Sequence, residues 1–202
     1  MYAMQARTHH QEQQPKSTVT VAPVLEALSL SEVKKHIVIS STDDSHDGHL
    51  YQLMQAAREQ WEDDTDSSAI TQTRTIKLQS FPDCIELPRR PIQSVSSIQY
   101  YDGGNASQTL STSVYALDAE WRKLRLKYQQ YWPYTVDRWD AITVTYVAGY
   151  AAAYDVPRIA RQAMLLLVGY YFENRDLHAN EIVYNREAYE ALVRRYMRST
   201  YP

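Results

Sequence analysis

The chain has 202 residues, 44% of them hydrophobic, a formal net charge of −3 and one cysteine. That size and apolar share suit one compact domain with room for tails. The acidic balance excludes a generally basic nucleic-acid binder, and a lone Cys84 excludes an internal disulfide framework and fits a reducing compartment.

Residues 1–22 are polar and Gln-rich with no apolar stretch of the secretory kind, so a flexible arm is expected, with His9 and His10 inert inside it. Ser29–Ile37 predicts a short helix. Ser29 and Glu32 have capping-box spacing, and Leu30, Val33 and Ile37 share a face. An acidic turn at 41–48 leads into a second helix from about Ser45 to Asp63, whose stripe is Leu50, Leu53, Met54, Ala57 and Trp61. Its end, Trp61 to Asp64, reads as solvated.

Short strands follow over Thr71–Leu78, Cys84–Leu87, Ser94–Tyr101, Tyr115–Leu117, Lys123–Lys127 and Ala141–Val147. Asp102-Gly103-Gly104-Asn105 marks a hairpin turn. Cys84, leading a short strand, reads as a filler rather than a nucleophile. In the last strand Ile142, Val144 and Tyr146 fall on one face, and Gly149 breaks it. Asp155 is expected at or beside a helix N-cap with Pro157 in the first turn. From Ala163 to Phe172 the helix is apolar almost all round and should be buried. Its run of about ten apolar residues falls short of the roughly 20 that cross a bilayer. A polar loop and a last helix over about Asn185–Arg198 close the chain. The class is α+β, with helices at both ends of a mostly antiparallel β-rich middle and a long buried helix near the C-terminus.

Tyrosine is the compositional outlier, 17 against 2 phenylalanines. It joins apolar area to a polar tip and is favoured where a surface is buried against a partner, which points to an assembly subunit.

Signals of chemistry are sparse. Asp43, Asp44, His46, Asp47 and His49 have metal-ligand side chains, but metal sites draw convergent ligands from more than one element. At a helix start, the Asp residues are better read as caps favoured by the helix dipole. There is no GxSxG elbow, GxGxxG or Walker-type loop, and the 5 glycines leave little for a phosphate cradle. No enzymatic activity, cofactor or metal is expected. In the last helix Tyr189, Leu192, Val193 and Tyr196 form an apolar stripe, while Arg186, Arg194, Arg195 and Arg198 crowd the other side. Early Glu187 and Glu190 with late arginines suit the dipole of an ordinary surface helix. Aromatic anchors beside arginines also suit a docking helix, and the arginines could contact DNA phosphates.

Three segments in order carry a resemblance. They are Leu28–Ile37 (LSLSEVKKHI) followed by Asp43-Asp44; Ile85–Asp102 (IELPRRPIQSVSSIQYYD); and Asp140–Arg175, with its Val147-Ala148-Gly149-Tyr150 turn and Glu173-Asn174-Arg175 end. Across residues 24–176 the chain resembles the phage head–tail connector (adaptor) family, the ring-forming neck proteins of long-tailed bacteriophages. The resemblance implies a structural virion protein that forms a ring of about a dozen copies, whose head-to-tail contact requires two different surfaces per subunit. The Tyr-rich strands are expected to supply them. It further implies a place at the neck, assembly in the bacterial host cytoplasm, and three partners besides itself: the portal protein, a stopper or tail-completion protein, and double-stranded DNA passing non-specifically through the channel. No membrane partner is implied.

The division expected is an arm over 1–22, a connector domain over 23–176, and a C-terminal loop and docking helix over 177–202. Beyond Asp176 the likeness is loose. Portal docking there is assigned to Tyr189, Leu192, Val193, Arg194, Arg195, Tyr196 and Arg198, so deleting 186–202 is expected to abolish portal binding and spare the ring. The alternative is a DNA-binding packaging or neck-gating protein.

Overall fold

The computed structural model describes residues 15–174 and 183–200. His9, His10 and the polar loop ahead of the last helix lie outside them. Eight strands are described: β1 (Thr18–Val21), β2 (Gln72–Leu78), β3 (Cys84–Glu86), β4 (Ile92–Tyr101), β5 (Ser107–Thr109), β6 (Tyr115–Asp118), β7 (Lys123–Leu126) and β8 (Ile142–Ala148). The helices are α1 (Leu30–His36), α2 (Asp47–Thr65), α3 (Arg158–Glu173) and α4 (Val183–Thr200). The α+β architecture with a β-rich middle is as the sequence predicts.

The larger sheet has the order β1-β2-β8-β4-β5 and the smaller β3-β7-β6, with every named neighbour pair antiparallel. β8 lies at the centre of the larger sheet because its alternation is strict. Ile142, Val144, Tyr146 and Ala148 are all fully buried, one face of a pleated strand committed to the core. They pack with Ile76, Ile98 and Leu124 in a core shared by the two sheets. A second core lies among the helices, around Leu50, Met54, Trp61, Met164, Val168 and Tyr196.

The two cores meet at one end of the large sheet. There β2 and β8 pair through Gln72 and Ala148, and short connections lead from β2 back to α2 and from β8 on to α3. Gly149 makes the second connection possible. Its φ is +107°, and a Cβ there would sit 2.2 Å from the Ile70 carbonyl oxygen, so no side chain fits. At the other end, where Leu78 faces Ile142, the sheet meets the 127–141 loop rather than a helix.

Several local expectations change. The arm expected through Ala22 yields β1 at Thr18–Val21, which pairs with β2 at the sheet edge. Ser29 caps α1 by accepting from the Glu32 amide at 3.2 Å. Glu32 does not complete the capping box, because its carboxylate binds Arg161 of α3 at 2.6 Å. Asp155 lies in a single 3₁₀ turn, and α3 starts behind Pro157 without a side-chain cap.

The end of α2 is only half solvated: Asp63 and Asp64 are exposed, but Trp61 and Glu62 are buried. Glu62 Oε1 accepts from the Ala69 amide at 2.7 Å and from Gln72 at 3.0 Å, tying the helical layer to the sheet. Burial pushes its carboxyl up, against the pull of those hydrogen bonds and of Arg58. Finally α4 packs on α3 and α2, so it belongs to the helical core and is not a separate appendage.

Candidate assembly surfaces

Four places could carry function: the Asp/His turn, helix α4, the loop after β7, and the edge formed by β1. The Asp/His turn is occupied by structure. Asp43 accepts from the Ser45 amide at 3.0 Å and hydroxyl at 2.6 Å. Asp47 pairs with Lys34 at 2.6 Å. The rings of His46 and His49 lie 5.7 Å and 6.4 Å from that of Phe172. The N-cap of α2 is His46, with no side-chain cap bond, so the expected capping by Asp is replaced by an Asx turn just upstream. Among the described residues, no three His, Cys, Asp or Glu side chains gather as metal ligands would.

Helix α4 splits the proposed docking set in two. Tyr196 is 1% exposed, with its ring centroid 5.0 Å from that of Trp61 and its hydroxyl 3.3 Å from Ser67. Tyr189 and Val193 are also buried. The Tyr189 hydroxyl donates to Asp64 at 2.6 Å, and burial followed by that carboxylate pushes its phenol strongly up. Leu192 is half-buried against the same core. Of that set only Arg194, Arg195 and Arg198 are exposed, with Arg186 and Glu187 on the same helix. The apolar stripe is therefore spent inside the subunit, and of the proposed set only the arginines remain for a partner.

Between α2, α3 and α4 lies a cleft of about 500 Å³ lined by Gln60, Asp64, Leu167, Tyr170 and Glu190. Its carboxylates are engaged: Asp64 accepts from Gln60 at 2.9 Å and from Tyr189, and Glu190 from Arg186 at 2.8 Å. The cleft therefore presents no facing pair of free carboxyls of the kind acid–base catalysis uses.

The loop after β7 is the feature that sequence reasoning missed. Tyr128, Tyr131 and Tyr134 are 89%, 83% and 81% exposed, although the segment is firmly held. Trp132 stacks on Phe81 at 4.7 Å, the Val136 amide donates to the Tyr101 carbonyl, and Arg138 lies 4.0 Å over the Tyr101 ring. Arg138 also bonds Asn105 at 3.2 Å. The strand tyrosines behave oppositely, since Tyr115 and Tyr146 are buried and the Tyr146 hydroxyl donates to the Pro88 carbonyl at 2.8 Å. Three of the most exposed tyrosines thus sit on this loop, not on the strands expected, with Tyr154 exposed in the turn after β8. A cluster of three within seven residues was the available signal.

At one edge of the large sheet, β1 is exposed along its whole length. Val19 and Val21 in β1, with Val24 and Leu25 just after it, make this stretch of chain an exposed aliphatic strip.

This arrangement has known counterparts. The chain matches a chain of the neck of the empty gene transfer agent particle computed with C6 symmetry, with a TM-score of 0.72 and 20% identity over 90% of this chain and 94% of that one. The fold is that of a particle-neck subunit. The virion of the native gene transfer agent particle matches at TM-score 0.71 and 19% identity, over 89% of this chain and 94% of that one. The native neck computed with C12 symmetry matches at TM-score 0.68 and 20% identity, over 90% and 94%. No protein-family model and no curated protein matches the sequence.

Proposed function

We propose that this chain is a head–tail connector: a structural virion protein that forms a ring between the portal of the capsid and the tail, and lengthens the channel through which DNA passes. The observation that carries this reading is the match over nine-tenths of the chain to subunits of particle necks solved with six- and twelvefold symmetry. The spread of surface chemistry agrees with it. Catalysis needs convergent groups, whereas this subunit offers aromatic, aliphatic and cationic surfaces on separate sides.

Arg194, Arg195 and Arg198 on the outer face of α4 are the portal-facing cations, the aromatic half of that helix being committed to the core. Deleting 186–202 is a poor test, because it would strip Tyr196 from Trp61. Replacing the three arginines by alanine is the sharper one. The variant should still form rings while its co-sedimentation with portal falls by at least tenfold. Unchanged portal binding would remove α4 from the contact. A variant that instead loses a salt-dependent shift of duplex DNA, with portal binding intact, would favour a DNA-gripping neck protein.

A further inference from the structure

We infer that the ring contact is made between the aliphatic strip at the β1 edge of one copy and the tyrosine loop, at the sheet end away from the helices, of the next. This rests on the connector reading and names the surfaces that reading requires. A cyclic assembly needs two different patches on each subunit, placed so that each copy meets its neighbour the same way. The large sheet supplies them at one edge and at one end. β1 is an edge strand, and the tyrosine loop crosses the end away from the helices, where Trp132 stacks on Phe81 and the Val136 amide donates to the Tyr101 carbonyl.

The strip runs from Val19 and Val21 to Val24, which is 93% exposed, and Leu25. β1 itself reads Thr-Val-Thr-Val, without the charge or proline that natural edge strands use to discourage pairing. The tyrosine loop starts just past β5 and runs across the sheet end away from the helices. The Lys127 amide donates to the Val114 carbonyl and its Nζ to the Thr112 carbonyl, just past that strand. The Tyr134 ring approaches Gly103 in the β4–β5 turn, 3.3 Å from where a Cβ would stand.

The two patches complement each other. Aromatic faces cover aliphatic side chains, and phenolic hydroxyls can bond the unpaired backbone groups of an edge strand. Three tyrosines at roughly 200 Å² each would supply most of the ~800 Å² per side of a standard contact. An isologous pairing of strip with strip would stop at two copies, and the same holds for loop with loop.

The test uses two full-length variants. Val24→Asp with Leu25→Asp spoils the strip; Tyr131→Asp with Tyr134→Asp spoils the loop. All four positions are exposed, so each variant should keep the circular dichroism of the unmodified protein. Where the unmodified protein forms rings, alone or on portal, each variant should run as a monomer in native mass spectrometry. Mixed, the two retain one intact strip and one intact loop between them and should give a one-to-one pair that grows no further. Rings from either variant, or no pair in the mixture, would overturn the inference and leave the connector reading standing. Failure of the unmodified protein to form rings under any of these conditions would remove both. If a variant does not fold, solvent labelling of the unmodified ring decides: Tyr131 and Tyr134 should be protected at least tenfold over the monomer, and equal labelling would overturn the contact.

Discussion

The helical end and the tyrosine flank use one residue type in opposite ways. In the helices Tyr189 and Tyr196 are buried, with hydroxyls satisfied by Asp64 and Ser67. On the loop after β7, Tyr128, Tyr131 and Tyr134 point to solvent, while their neighbours Trp132 and Arg138 anchor the backbone. The first set holds the subunit together; the second stands on an anchored backbone, so covering it costs side-chain entropy but little backbone entropy. Abundance of tyrosine alone is therefore no guide to an interface. What separates the two uses is whether the ring sits on an element whose face the subunit has already covered.

Substitutions can break or sharpen this contrast. The largest effect is expected at the junction of the two cores. Gly149→Val combines a forbidden φ with a backbone clash and should cost about 4 kcal/mol or more, read as loss of the cooperative transition in chemical denaturation. Tyr196→Ala should follow at about 3 kcal/mol, because it empties space against Trp61. Tyr131→Ala should change subunit stability by no more than ~0.5 kcal/mol, as an exposed site does, while weakening assembly. If Tyr131→Ala destabilised the monomer as much as Tyr196→Ala, the division would collapse.

The smallest effect concerns pH. Burial raises the carboxyl of Glu62 in the fold, so the native state takes up its proton before the unfolded chain does. The residue's contribution to stability therefore grows as pH falls through the folded value, and is complete below the unfolded value of about 4.3. Relative to Glu62→Gln, the natural protein should gain stability on acidification from pH 7, measured by the difference in their melting temperatures. A difference that shrank on acidification would mean that the hydrogen bonds from Ala69 and Gln72 outweigh burial.

Much of this fold was legible in the sequence, for reasons visible in particular residues. β8 and α3 announce themselves through alternation and a long apolar run, each with a face or body that only a core can take. β1 and β5 left no such pattern: all their residues are exposed, and a strand with no buried face carries no period of two. The stripe of α4 was visible, but periodicity says only that a face is covered, not whether the cover is the same chain or another. Glu62 was misplaced because its charge suggested solvent, whereas its partners, the Ala69 amide and Gln72, come from the next element. The tyrosine loop repeats every three residues, a spacing that marks neither a strand nor a helix, and its exposure appears only once the fold has taken Tyr115, Tyr146, Tyr189 and Tyr196 inward.

The measurement that bears most directly on the connector reading is native mass spectrometry, with electron microscopy, of the full chain alone and mixed with the portal of its own particle. A closed ring of about a dozen copies, free or seated on the portal, is the expected result. A monomer in both samples, at concentrations where the portal itself is fully assembled, would contradict it.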